Sequence, residues 1–435
     1  MQPADRSFTT RAKARRGEMA LPPAAAAGVS DERLAVASIA LTTALIAMSG
    51  SVARAEEPGA IAAPRSGSDS EILGGRGDAL RVESVMTRIV SFDQFGYGYQ
   101  SQAGPTLGKG SERATILEPA IQIVATQGDR LKHVITVPID VVSAASPDAI
   151  DRGPTSADVV SSASRRNIAG TIDWAATYHA DASWDVAMDS GLHLEEPFRS
   201  WHGGVGATRA LAGGDTVVAA NFLEVFDWFD RFDIGGHRHG RTDRSSLTGS
   251  IGVTQIVTPT TVVAANYGIT VQRGELGNTW NSVPLSSGVR GPEVLPDERV
   301  RHAWVGRASQ FLPWNGALRA YYRLYADDWG LVAHSIEGQL LQRLSPSVYL
   351  GALYRFHTQN GVDFFTPRAA LDMRFRTADS DLALLDSHAV GGKVVIDIRG
   401  AGAVRALHFE LEYERYFRNN DLSIDVVTCA TGYRF

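Results

Sequence analysis

From about Leu80 to the last residue the chain is built from short segments of period-two alternation separated by turn residues, with no amphipathic helix of convincing length between them. Successive side chains of a strand point to opposite faces, so this pattern commits the mature chain to an all-β fold. The late rows are cleanest. Leu407, Phe409, Leu411 and Tyr413 alternate with His408, Glu410, Glu412 and Glu414, and Leu318, Ala320, Tyr322 and Leu324 alternate with Arg319, Tyr321, Arg323 and Tyr325. Val348, Leu350, Ala352, Tyr354 and Phe356 alternate in the same way with Tyr349, Gly351, Leu353, Arg355 and His357. A soluble sandwich would turn the apolar row inward. A membrane barrel turns it outward to lipid and lines its lumen with the charged row.

Connection lengths choose between the two. Short links at 127–129, 180–181, 212–215, 259–260, 313–316, 345–346 and 400–402 alternate with others that are mostly longer or more polar. These fall at 93–112, 143–165, 194–198, 228–243, 274–298, 327–328, 361–386 and 419–420. Long structureless loops are uncommon inside compact domains, whereas short turns on one side and longer loops on the other are the rule for barrels crossing an outer membrane. The reading is a closed antiparallel transmembrane β-barrel of about sixteen strands, with short periplasmic turns and longer extracellular loops. Fourteen strands also fit, because 80–92 and 182–193 alternate poorly. Closure is required because lipid offers no hydrogen-bonding partner to an open sheet edge.

A mean hydropathy of -0.10 over 435 residues excludes a bundle of membrane helices. The longest apolar segment, Leu34 to Met48, is shorter than the roughly 20 residues of a spanning helix. It follows a basic stretch (Arg11, Lys13, Arg15, Arg16) and precedes Ala53-Arg54-Ala55, which reads as a secretory signal peptide over 1–55, with Met19 an alternative start. Residues 56–79, rich in Gly, Ser and Pro, read as a flexible lead-in, and 80–435 as the barrel. The single cysteine, Cys429, excludes an intramolecular disulfide. A formal charge of -6 argues against nucleic acid as a partner.

The chain closes on Tyr433-Arg434-Phe435, with Phe435, Tyr433, Thr431, Cys429 and Val427 on one strand face. A last strand ending on Phe resembles the signal read by barrel-assembly machinery, which makes Tyr433 and Phe435 the assembly residues and that machinery and outer-membrane lipid the expected partners.

Several stretches in order carry a wider resemblance. They are Asp140 to Asp148, Leu295 to His302, Ser309 to Pro313, Tyr325 to Gly330, Tyr354 to Gln359 and Asp363 to Phe365. Through them the chain from about Asp140 onward resembles a bacterial family catalogued as domain of unknown function 3570, whose members are predicted outer-membrane β-barrels. The resemblance implies location and architecture, and no reaction.

The charged rows set Arg319, Arg323, Arg355 and Lys393 against Glu337, Asp397, Glu410, Glu412 and Glu414. Such residues either pair across strands or line an aqueous path that sorts small solutes by charge. Arg319, Arg323, Arg355, Lys393, Glu410, Glu412 and Glu414 are the candidate lumen residues. No cofactor is implied. His237-x-His239, near Asp230, Asp233 and Asp243, could ligate a transition metal if its loop folded back, but Arg238, Arg241 and Arg244 would repel a cation, so no metal is assigned. Asp148, Asp151 and Asp158, beside a near-repeat of Asp140–Ser146 at Asp158–Ser164, suit a hydrated loop better than a Ca²⁺ site. Trp201, Trp228, Phe229, Trp304, Trp314 and Trp329 read as an interfacial aromatic girdle. No glycine-framed nucleophile picks out a catalytic triad, so an enzyme is not expected. A porin-like channel for small solutes leads, with a non-conducting barrel that binds a partner through its outer loops as the alternative.

Overall fold

The structure, a computed structural model, describes residues 80–95, 113–145, 167–195, 198–232, 238–277, 282–400, 402–420 and 422–435. The leader and lead-in expected over 1–79 lie outside them. The strands in chain order are β1 (Leu80–Phe95), β2 (Arg113–Gln127), β3 (Leu131–Ala145), β4 (Asn167–His179), β5 (Trp184–Leu194) and β6 (Phe198–Leu211). There follow β7 (Thr216–Phe232), β8 (Arg238–Thr258), β9 (Thr261–Gly274), β10 (Ser282–Pro284), β11 (Arg290–Pro292) and β12 (Glu298–Leu312). The chain ends with β13 (Gly316–Asp327), β14 (Val332–Ser345), β15 (Val348–Gln359), β16 (Leu385–Arg399), β17 (Ala406–Arg418) and β18 (Ser423–Arg434).

All but β10 and β11 form one closed antiparallel ring in chain order, sealed where β1 pairs with β18. The ring has sixteen strands, and the fourteen-strand option falls. The weakly alternating stretches 80–92 and 182–193 are β1 and most of β5, held in the sheet by pairing on both sides. The short inner turns are built for reversal. Gly128 and Asn315 both take positive φ, 60° and 61°, at the β2–β3 and β12–β13 turns.

The register decides which face looks where. On β17, Phe409, Leu411 and Tyr413 are open to the exterior, Leu411 at 53%, while Glu414, next along the strand on the other face, is 4% exposed. The same division continues through Ile336 on β14, Ile251 on β8 and Ile89 on β1, all exposed apolar side chains on the outside of the ring. An apolar exterior around a closed sheet is stable only in hydrocarbon, and strands rather than helices make the spans. The ring is therefore a membrane-spanning barrel.

One connection differs from its sequence reading. Residues 228–243 are mostly strand, because β7 runs on to Phe232 and β8 begins at Arg238, leaving 233–237 between them. The extension is held by cross-strand chemistry: Asp230 pairs with Arg238 at 2.6 Å, and Asp227, buried, pairs with Arg244. The stretch is therefore a projecting hairpin. The start of the Asp140 near-repeat is likewise strand, at the end of β3, while Asp148, Asp151 and Asp158 lie outside the described residues.

Candidate functional site: the lumen and its cap

Inward-facing charges of the ring are unevenly distributed, with Asp327 and Glu337 set within a mainly basic stretch and Lys132 within a mainly acidic one. On β12, β13 and β15 the inner face carries Arg299, Arg301, Arg307, Arg319, Arg323 and Arg355. On β2, β3, β4 and β5 it carries Glu118, Asp140, Asp173, Asp185 and Asp189. In a ring of sixteen, β12–β15 stand diametrically opposite β2–β5, so a basic wall faces an acidic one across the lumen. Histidines temper the acidic wall: His202 Nε2 lies 3.7 Å from Asp173 and 3.8 Å from Asp189, and His193 meets Thr171 at 2.8 Å.

The candidate lumen residues divide by what they touch. Arg355 reaches Glu337 of the neighbouring strand with Nη2 at 2.6 Å and Nε at 2.7 Å. Lys393 stands 3.7 Å from Glu410, which also lies 3.5 Å from His408, itself bonded to Asp397 at 2.8 Å. All but the His408–Glu410 contact, which lies within β17, are cross-strand bracing. Glu412 is level with Lys393 on the inner face, and Glu414, buried, is level with Gly391. Arg319 is half-buried on the same face. Arg323 differs, its guanidinium stacking 5.6 Å from the Tyr325 ring with no carboxylate partner among the described residues. Arg307 does the same over Tyr321, at 5.5 Å. Sequence reasoning missed Arg307 and Arg301, because β12 mixes Arg, Ala and Ser on its inner face and lacks the clean charged row of β17.

Two outer connections fold together above the basic wall. The β9–β12 connection holds the β10–β11 hairpin, and the β15–β16 connection meets it through single bridges Leu285–Ala369 and Val294–Arg376. Val283, Leu285, Ala369 and Ala378 bury one another between them. A second dry cluster anchors this cap to the barrel: Trp329, Leu331, Ala333 and Val362, with Leu276, Leu295, Phe364, Phe365 and Leu382 against them. Asp327 builds the anchor. Its carboxylate accepts from Tyr325 Oη at 2.8 Å and from the backbone N–H groups of Trp329 and Leu331 at 3.0 Å, and pairs with Arg299. Trp329, 4% exposed, belongs to this core and not to the girdle expected from sequence. Phe229 is also buried, on the inner face of β7, where Arg244 lies 5.5 Å over its ring. Trp201, Trp228, Trp304 and Trp314 do lie exposed on the exterior.

Of the histidine pair weighed for a metal, His239 is exposed on β8 and His237 lies outside the described residues. Tyr433 is exposed on the exterior of β18, and Phe435 follows it with its N–H bonded to Glu83 O at 2.8 Å.

Three of the six stretches that carried the family resemblance meet in this cap, through Leu295, through Tyr325 and Trp329 at the anchor, and through Phe364 and Phe365. Residues 207–426, half of the chain, match the family described as "Protein of unknown function (DUF3570)". The chain belongs to that family. No curated protein matches its sequence. Among solved structures, this DUF3570 member is similar to a BenF-like porin from Pseudomonas fluorescens Pf-5, 8% identical over 81% of this chain and 98% of that one, with a TM-score of 0.42. It is similar to Pseudomonas aeruginosa OccK2 (OpdF) in complex with glucuronate, 8% identical over 83% and 100% of the two chains, TM-score 0.41. A TodX monoaromatic hydrocarbon channel deltaS2 mutant gives 11% identity over 82% and 91%, TM-score 0.38.

Proposed function

We propose that the barrel is a passive, porin-like channel for small polar solutes that carry charge. The observation behind this reading is the pair of ionised walls facing each other inside a ring of sixteen strands, a strand number wide enough to hold water. Charges facing a narrow, low-dielectric-walled path focus the local field and sort solutes by sign. Arg323 and Arg307, without carboxylate partners among the described residues, are the sorting groups, and Arg355–Glu337 and Lys393–Glu410 are braces that keep the wall in shape. The cap over the basic wall would narrow the approach to it. No reaction is assigned. Tyr433 and Phe435 are the residues through which assembly machinery would engage the last strand.

Conductance of the purified, folded protein in planar bilayers tests the reading: stepwise current with unequal passage of anions and cations supports it, and silence removes it. The cap favours one alternative, a closed barrel whose paired outer loops bind a partner. Excising the tip of the β10–β11 hairpin separates the two, because it would raise conductance in a capped channel and abolish partner recovery in a binding barrel.

A further inference from the structure

Four tyrosines on the lipid side of the barrel hydrogen-bond to a side chain of the next strand by the same diagonal step. Tyr267 of β9 is level with Trp304, and its hydroxyl meets His302 Nδ1, two residues nearer the outer end, at 2.8 Å. Tyr322 is level with Ile336 and meets His334 Nδ1 at 2.8 Å. Tyr354 is level with Val390 and meets His388 Nδ1 at 2.9 Å. Tyr413 is level with Val427 and meets Asp425 at 2.7 Å. Together they occupy half of the ring, from β9 round to β18.

Their spacing follows the stagger of a closed sheet. Trp304 is level with Leu324, two residues beyond Tyr322; Ile336 is level with Phe356, two beyond Tyr354; Val390 is level with Arg415, two beyond Tyr413. An offset of two residues every two strands is about the shear that barrel closure imposes, so all four pairs sit at one height. That height is the outer edge of the apolar belt. Between His302 and Gln310 the outward residues of β12 are Trp304, Gly306 and Ala308, and between His334 and Gln342 those of β14 are Ile336, Gly338 and Leu340. A tilted strand climbs about 20 Å over that interval, close to the roughly 25 Å apolar band of such barrels.

Each imidazole has one nitrogen engaged by its tyrosine. With the phenol as donor the ring proton sits on Nε2, and Nε2 of His302, His334 and His388 has no partner among the described residues. In the fourth pair Arg415, 49% exposed, reaches Asp425 at 3.3 Å. Asp425 is engaged by Tyr413 and Arg415 and Asp93 by Thr115 at 2.7 Å, while Asp386 stands two residues beyond His388 on the same face. The row therefore presents N–H donors and a guanidinium at headgroup height.

We propose that this half of the outer rim docks phosphate-bearing lipid headgroups of the outer leaflet, with His302, His334 and His388 Nε2–H and the Arg415 guanidinium as donors to phosphate oxygens. The complementarity is one of N–H donors to an anion rich in acceptors. Neighbouring histidines stand two strands apart, about 10 Å, so each engages its own headgroup.

Native mass spectrometry of the full-length folded barrel, titrated with lipid A and with the same lipid after removal of its phosphates, tests this. The wild type should retain phosphorylated lipid and release the dephosphorylated form, and millimolar inorganic phosphate should not displace the lipid. The triple variant His302→Asn, His334→Asn, His388→Asn keeps an acceptor for each tyrosine and loses Nε2, and should bind phosphorylated lipid about tenfold more weakly. If the triple variant does not assemble, His334→Asn alone, at the most exposed of the three, should show a smaller loss in the same direction. Equal retention of the two lipids by the wild type, or unchanged binding by the histidine variants, overturns the proposal.

Discussion

Glu337 and Arg355 stand directly opposite each other on β14 and β15, joined by two charge-assisted hydrogen bonds of 2.6 and 2.7 Å on the inner face of the barrel. The carboxylate is largely covered and the guanidinium about one-third exposed, so solvent screens the pair only in part. Glu337→Gln should destabilise the barrel by about 1–2 kcal/mol, by leaving a half-buried cation with a neutral neighbour. The check is the temperature at which the folded form converts to the slower-migrating one in denaturing gels. Adding Arg355→Met to Glu337→Gln should recover part of the loss, and an unchanged transition in the single variant would deny the pair its bracing role.

Arg307 and Arg323 lean on Tyr321 and Tyr325, and no carboxylate among the described residues neutralises them. Reversing their sign should therefore act on passage more than on folding. Under a salt gradient in planar bilayers, Arg323→Glu and Arg307→Glu should each move the reversal potential toward cation preference, with their effects adding in the double variant. Arg355→Glu, beside Glu337, should chiefly lower stability. A reversal potential that ignores Arg307 and Arg323 would place the permeation path elsewhere.

Much of this architecture was legible because period-two alternation is a local property: β17 shows its lipid face in Leu407, Phe409, Leu411 and Tyr413 whatever the other strands do. What the sequence hid are relations that exist only once register is known. Phe229 and Trp329 have the same residue types as the girdle members Trp228 and Trp304, and only pairing reveals that they turn inward or under a loop. The β7–β8 hairpin reads as a loop because its Gly, Arg and Asp residues carry turn-like composition, while Asp230–Arg238 and Asp227–Arg244 hold it as strand. The tyrosine row is hidden most thoroughly. Its four pairs are separated along the chain by 35, 12, 34 and 12 residues, because two of them straddle the long cap loops and two straddle tight turns.

Trp329 holds the cap through contacts on every side: Arg299 lies 4.3 Å over its ring, Phe364 meets it edge-on at 5.3 Å, and its Nε1–H donates to Glu298 O at 3.0 Å. Trp329→Ala should remove about 3–5 kcal/mol of local stability and release the β15–β16 connection from the anchor. Limited proteolysis of intact outer-membrane vesicles should then cut within 360–384, where the wild type resists. Conductance should rise if the cap narrows the mouth. Resistance to protease in the alanine variant would mean that the Val283–Ala369 cluster holds the loops without Trp329.

Cys429 gives the sharpest measure of which face is which, because it is the only thiol in the chain and its inner-face neighbour differs from it in every respect that labelling reads. It lies on the exterior of β18, level with Ile89 on one side and Leu411 on the other, both exposed apolar residues. A thiol in hydrocarbon cannot readily ionise, and a charged reagent does not reach it. In reconstituted vesicles a charged maleimide should therefore modify Cys429 at least about tenfold more slowly than an apolar one, and the difference should vanish on unfolding. Glu412→Cys in a Cys429→Ser background, on the inner face level with Thr428, should show the opposite preference and react with the charged reagent from water. Rapid charged-reagent labelling of Cys429, with a silent Glu412→Cys, would mean that β18 presents its apolar row to solvent, and the inward placement of both ionised walls would fail with it.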